Sequence, residues 1–263
     1  ISCSLVGSEM CIRDRFSNGF MELPLVGMIL GSISAVLLPV FSGMDKGNGM
    51  SNETLVVWNS ALLKSAKLIF PMLIFSVFFA EPIMTCMYGD IYAQSSIYFV
   101  IKNLSGLFYI IPFYPIILAI GKTNSYANAH MIAAFMIVIA EYVVCKTFDS
   151  AVYVAITSEL CNLVKIWLLL RVIANYAHMK ITELLPPKPM TILIMISALA
   201  SLPPFLLLDF LNMNKFIVLF VCLGFFLVDY YVLCWICKVT YRDIAGGFLK
   251  NKSRLNAVVK ILP

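Results

Sequence analysis

The chain has 263 residues, 61% of them hydrophobic and 13% charged, and its mean hydropathy is +0.93. Soluble domains are about half apolar and about one-quarter charged. A soluble fold of this length therefore has no interior large enough for this apolar surface, and the bilayer is the expected solvent. The net charge of +5 is modest and suits the cytoplasmic loops of a membrane protein; no nucleic-acid partner is expected.

Residues 1–15 (ISCSLVGSEMCIRDR) fit neither a signal peptide nor a membrane span. The run Met10-Cys-Ile-Arg-Asp-Arg15 resembles the translation of a sequencing adaptor, so 1–15 is set apart as a non-native arm. Span one follows at 23–41, nineteen residues without a charge, about the length that crosses 30 Å of hydrocarbon. A polar, Gly-rich loop leads into residues 55–67, an amphipathic piece expected to lie in the membrane interface. Span two (68–87) carries Glu81-Pro82 near its end, and span three (97–120) carries Pro112 and Pro115 in its middle. Span four (126–145) holds His130 and Glu141, and span five (151–170) holds Glu159, Asn162 and Lys165. A loop over 171–189 ends in Pro186-Pro-Lys-Pro189, a helix stop. Span six (190–208) is expected to be interrupted at Pro203-Pro204, and span seven (216–237) contains Asp229. A basic tail occupies 238–263. The expected fold is an all-α, polytopic membrane bundle of about seven transmembrane helices over 16–237. No stretch shows the ten-residue alternation of barrel strands.

Orientation follows from lysine and arginine placement. With the tail inside, the inner segments hold Lys46, Lys64, Lys67, Lys122, Arg171, Lys180, Lys188, Lys238, Arg242, Lys250, Lys252, Arg254 and Lys260, against Lys102, Lys146 and Lys215 at the outer ends. The tail is therefore expected to be cytoplasmic, with Tyr88-Gly89-Asp90 outside and Gly121-Lys122 inside.

Charges within spans are costly and usually face a cavity or a partner helix. Glu159, Asn162 and Lys165, with Glu141 and Asp229 on neighbouring spans, are the candidates for a substrate or ion pathway. At 100° per residue Ser158, Asn162 and Lys165 share one face, with Glu159 on its shoulder, as a water-filled pathway requires. Other readings stand beside this one. Lys165 is within snorkelling reach of the inner interface, Glu141 lies near the outer surface, and Asp229 suits a helix–helix contact. His130, alone near a cytoplasmic end, reads as structural. Pro112, Pro115, Gly89 and Gly121 are hinge or gate candidates, since each proline removes a helix hydrogen bond and permits a kink.

The eight cysteines fall mostly within apolar spans and behave as small hydrophobes. Cys234-Trp-Ile-Cys237 has redox or metal spacing but no nearby histidine, so neither metal nor cofactor is expected. No soluble-enzyme motif is present, and the reading is of a non-enzyme.

Four segments in order carry a family resemblance: Leu37-Leu-Pro-Val-Phe-Ser42 after an apolar span, Lys64-Ser-Ala-Lys67 before the Pro71 helix, the Met87-Tyr-Gly-Asp-Ile-Tyr92 turn, and the Ile117-Leu-Ala-Ile-Gly-Lys122 turn. Over roughly 23–170 the chain resembles polysaccharide flippases of the multidrug/oligosaccharidyl-lipid/polysaccharide flippase superfamily. The resemblance implies helices eight to fourteen of a two-lobed, fourteen-helix transporter, with an N-terminal lobe missing. It implies transport of an undecaprenyl-pyrophosphate-linked oligosaccharide (an O-antigen, capsule or exopolysaccharide repeat unit) across the bacterial cytoplasmic membrane by alternating access. Its expected partners are that lipid-linked oligosaccharide, membrane lipids and the missing lobe.

Two alternatives are a drug/cation antiporter of the same superfamily and a membrane-embedded glycan polymerase or ligase. The last class uses a large outer loop, and the outer loops here are short. A seven-helix receptor matches in span count but not in its Asp-Arg-Tyr and Asn-Pro-x-x-Tyr motifs. A reporter fused at Lys180 is expected to read as cytoplasmic; an external reading would invert the topology.

Overall fold

The computed structural model describes residues 13–43, 50–148, 150–208 and 214–241. Most of the arm (1–12), part of the first inner loop (44–49) and nearly all of the basic tail (242–263) lie outside the described residues.

Among the described residues the first helical stretch, α1, covers 13–19 and includes residues the sequence reading set apart. Its Asp14 accepts a hydrogen bond from the Tyr92 hydroxyl at 2.7 Å. The first long helix, α2 (Pro24–Ser42), starts on a proline, whose missing N–H costs nothing in a first turn. Ser32 and Ser42 return their hydroxyls to the carbonyls of Met28 and Leu38, both at 2.8 Å, so neither is left unpaired in an apolar medium.

The spine of the bundle is α3 (Asn52–Phe78), capped by Ser51, whose side chain accepts from the Thr54 N–H at 3.2 Å. Here the structure corrects the sequence reading. Residues 55–67 are not a separate interfacial helix but the first half of this one, and Trp58, Leu62, Ser65 and Ala66 are fully buried. Their apolar face, which suggested an interface, is covered by protein: the Trp58 indole N–H donates to the Leu184 carbonyl at 2.9 Å. The helix breaks at Phe79, and α4 (Ala80–Tyr88) follows. Pro82 cannot donate to the turn before it, which accounts for a break at this point.

After Gly89 come a 3-10 turn (Asp90–Ser95) and α5 (Ser96–Gly106). The expected third span, 97–120, is not one helix. The chain unwinds over 107–112 and resumes as α6 (Phe113–Ala119). Pro112 sits just before α6 and forces Ile111 away from helical geometry. Pro115 lies in the first turn of α6, where backbone donors have no intrahelical partner anyway. The two prolines thus bound a break rather than kink a continuous helix.

A tight pair follows, α7 (Thr123–Thr147) and α8 (Ala151–Ala177). The second outruns its expected end at 170. Leu170, Ile173, Ala174 and Ala177 stay buried along it, and Arg171 lies 5.3 Å from the Trp167 ring centroid. A short α9 (Ile181–Leu184) leads into α10 (Pro187–Leu207). The run Pro186–Pro189 starts this helix rather than stopping one, and α10 passes through Pro203 and Pro204 without interruption. Each lacks the N–H that would bond to the carbonyl four residues earlier, so the helix continues to Leu207 with two ladder bonds missing. Last comes α11 (Lys215–Ile236), capped by Asn214, whose side chain accepts from the Phe216 N–H at 3.1 Å.

Among the described residues six helices are long and apolar enough to cross a membrane: α2, α3, α7, α8, α10 and α11. The broken α5–α6 segment takes the place of the seventh expected span. The fold is an all-α, multi-pass membrane bundle. In its centre α3 packs against α2, α5 and α10, while α5 also packs against α8 and α10 against α11. Helices α3 and α10 pack on each other and both bury small residues, Ser65 and Ala66 on one and Ser197, Ala200 and Ser201 on the other, all fully buried. A second core gathers Phe75, Phe79 and Phe226, with ring centroids 4.4 and 5.0 Å from Phe75. The outer faces of α7 and α11 present Phe135, Val138, Phe220 and Trp235, all more than half exposed, as lipid-facing helices do.

Gly89 has φ +93° and ψ 170°, a region reserved for glycine, whereas Gly121, at φ +73°, is close to the left-handed helical region that asparagine tolerates. Gly89→Ala is expected to destabilise the protein by about 1–3 kcal/mol and Gly121→Asn by clearly less. Thermal unfolding in nanodiscs checks the ranking; equal midpoints would contradict it.

Candidate interior charge site

Span five was singled out by its charges, and α8 does bring the strongest polar group into the bundle. Glu159 is 4% exposed in the middle of the membrane-spanning part of α8, where it faces α5. Its carboxylate accepts from the Lys102 ammonium at 3.0 Å and from the Ser105 hydroxyl at 2.6 Å. Lys102 and Ser105 are three apart on α5, so both reach the same side of that helix. Lys102 also lies 3.1 Å from Glu22, at the entrance to α2. Its ammonium is thus shared between one buried and one largely exposed carboxylate, with side-chain exposures of 5% and 68%.

The aromatic surroundings reinforce the cation. The Lys102 ammonium is 5.0 Å from the Phe20 ring centroid and 5.6 Å from that of Tyr109, and Lys165 approaches the Tyr109 ring at 5.8 Å. Two ammonium groups therefore converge on one tyrosine ring, at the start of the unwound 107–112 segment. They differ in compensation. Lys102 has two carboxylates, whereas Lys165 is hydrogen-bonded to Asn162 Oδ1, a neutral group, at 3.1 Å. Both Lys165 and Asn162 are half-buried.

The single polar stripe expected on α8 divides. Ser158, 8% exposed, turns to α7 and donates to Glu141 Oε1, so it lines no open pathway. Glu159 turns to α5, and only Asn162 and Lys165 remain together. Asp229 is half-buried on α11, outside this cluster. His130 is exposed and packs on the Tyr126 ring at 4.4 Å, apart from the charged groups. Of the hinge candidates, Gly89, Gly121 and Pro112 sit at element boundaries and Pro115 in the first turn of α6. Among the described residues no group of three or more His, Cys, Asp or Glu side chains is arranged to hold a metal.

Glu22, Lys102, Ser105 and Tyr109 were missed in the sequence. A signal was there: Lys102 lies within the 97–120 span, with Ser105 and Tyr109 at i+3 and i+7 on its face. Counting Lys102 among the outer-end charges hid it.

These features define a multi-pass membrane bundle with a charged interior and a broken helix at its side. No family model and no curated protein matches the chain. Among solved structures, a lipid II flippase, MurJ, in an inward closed conformation, shares the fold with a TM-score of 0.61 at 18% identity. The similarity covers 84% of this chain and 45% of that one, so the chain spans less than half the length of that protein.

A double-mutant cycle tests the buried pair. Lys102→Met leaves a carboxylate buried without its cation and is expected to cost about 3 kcal/mol. Lys102→Met combined with Glu159→Leu is expected to recover at least half of that loss. Unfolding in micelles reads both, and additive losses would mean that the two groups do not interact.

Proposed function

We propose that this chain is one lobe of an alternating-access flippase that carries an undecaprenyl-pyrophosphate-linked oligosaccharide to the outer leaflet of the bacterial cytoplasmic membrane. The cargo is an O-antigen, capsule or exopolysaccharide repeat unit. The observation that carries this reading is the shared fold with a lipid II flippase over 84% of the chain. The four sequence segments between Leu37 and Lys122 favour the oligosaccharide branch of that superfamily. The match to under half of the flippase's length agrees with one lobe of a two-lobed carrier. In this reading the second lobe, outside the present chain, completes the cavity, and the C-terminus is cytoplasmic.

Within the lobe Lys165 is the group suited to an anionic carrier. Its ammonium has an aromatic platform in Tyr109 and a neutral orienting partner in Asn162, so a diphosphate has no internal carboxylate to displace there. Lys102, held by Glu159 and Glu22, is not available in the same way. The reaction is transport, with no bond made or broken and no cofactor.

The test is export of surface glycan in cells deleted for their own flippase and complemented with the complete gene. Lys165→Ala is expected to lower export about tenfold, the effect of roughly 1.4 kcal/mol in the transport barrier, and Lys165→Arg to retain most of it. Parental export by Lys165→Ala would remove that residue from the pathway. Drug resistance without glycan export would favour an antiporter.

A further inference from the structure

A cavity of about 620 Å³ opens between α3, α4, α10 and α11, beside the break at Phe79. Lys102, Glu159 and Lys165 are not among the residues that line it. Its size falls within the range of small-molecule sites, roughly 300–1,000 Å³. One wall is apolar. Phe78 of α3 meets Phe205 of α10 edge to face, with ring centroids 5.8 Å apart, and Leu206 stands beside them. Phe205 is 43% exposed and Leu206 67%, so in a membrane this wall is open to hydrocarbon. The other wall is polar. It carries Glu81 and Thr85 of α4, Ser96 at the start of α5 and Lys215 at the start of α11. A wall continuous with lipid facing a charged wall at the helix ends makes a site for an amphiphile rather than for a water-soluble solute.

The polar groups select the headgroup. Thr85 and Ser96 give their hydroxyl protons to the Pro82 and Ala93 carbonyls, at 3.2 and 2.7 Å, so towards the cavity they can only accept. Glu81 also only accepts, and among the described residues it has no ion pair and no hydrogen bond. Lys215 is ion-paired with Asp90, which leaves its ammonium further N–H donors. Glu81, Asp90 and Lys215 sum to −1, so an anionic lipid adds repulsion and a headgroup with its own cation offsets it. Three acceptors call for an ammonium that bears N–H groups, which a quaternary ammonium lacks. The spare donors of Lys215 suit a phosphate oxygen.

We infer that this cavity binds the headgroup of one aminophospholipid from the bilayer, its primary ammonium on Glu81 and its phosphate on Lys215, with its chains leaving along Phe78, Phe205 and Leu206. In the topology expected from the lysine and arginine placement, the lipid belongs to the outer leaflet. It touches four helices at once and steadies α4 against α10 and α11. An acid in the first turn of α4 also suits that helix's dipole, but such a role draws no distinction among lipids. The inference requires the bundle to lie in a membrane and is independent of the cargo.

Native mass spectrometry of the full chain, released from nanodiscs holding equal amounts of phosphatidylethanolamine, phosphatidylcholine and phosphatidylglycerol with the same chains, reads the headgroup preference. The ethanolamine lipid is expected to be retained about tenfold over either other lipid, as one charge-assisted hydrogen bond allows. Glu81→Gln is expected to bring the ethanolamine and choline lipids level, and Lys215→Gln to weaken both. A carbodiimide, which condenses a carboxylate with a primary amine to an amide, locates the site on the parent chain. In ethanolamine-lipid nanodiscs it is expected to couple lipid to Glu81 in preference to Glu53, an exposed acid at the far end of α3. Equal retention of the three lipids, a preference for the glycerol lipid, a Glu81→Gln variant that keeps the parental preference, unchanged retention in Lys215→Gln, or coupling at Glu81 no greater than at Glu53 would each overturn the proposal. Should Glu81→Gln fail to fold, the lipid comparison and the coupling on the parent chain still decide. Retention of the ethanolamine lipid by a chain that exports no glycan would count against the flippase reading alone.

Discussion

In a bilayer, helices gain little by hiding apolar surface from one another, because lipid tails are as apolar as leucine. What holds this bundle together is closeness of approach and the pairing of interior polar groups, with Asn59 Oδ1 and Ser95 Oγ among the few buried atoms of the described residues left without a hydrogen bond. Helices α3 and α10, which pack together, illustrate the first: both bury small residues, Ser65 and Ala66 on one and Ser197, Ala200 and Ser201 on the other. Each of these serines returns its hydroxyl to its own helix, at 2.9, 2.7 and 2.9 Å, so small size comes without an unpaired donor. The link between α5 and α8 shows the second. There Glu159 has two donors from one neighbouring helix, and the pair fixes where the broken segment can lie.

How the fold could be read from the sequence follows from the same physics. Long apolar runs announce α2, α7, α10 and α11 because length and hydropathy are the requirements for crossing a membrane. Prolines were harder. Pro203 and Pro204 promised an interruption and produced none: α10 continues through both to Leu207. Pro112 did interrupt, because it stands where a new helix must start. The 55–67 stretch misled for another reason: an amphipathic face says that one side is buried but not what buries it, and here the cover is the Leu184 region, more than 120 residues away.

The interior site was legible in part. Glu159 is conspicuous because an acid in mid-membrane needs an explanation. Its partner was not, since helix periodicity gives the face a residue occupies but not the helix that face meets. Thus Ser158, Asn162 and Lys165 read as one stripe, yet Ser158 meets Glu141 on α7 while Asn162 and Lys165 remain together. Lys102 resembled an outer-end charge because it lies near the start of its span.

The break at Phe79 has a bearing on movement. Below it, α3 is fastened along its length to α2, α5 and α10. Above it, α4 and the 3-10 turn are joined to α11 by the Asp90–Lys215 ion pair. One residue's dihedral angles therefore set the angle between the shaft and this cap. Because the cap also packs on α5 through Met84 and Phe99, a change at Phe79 would be felt by the helix that carries Lys102.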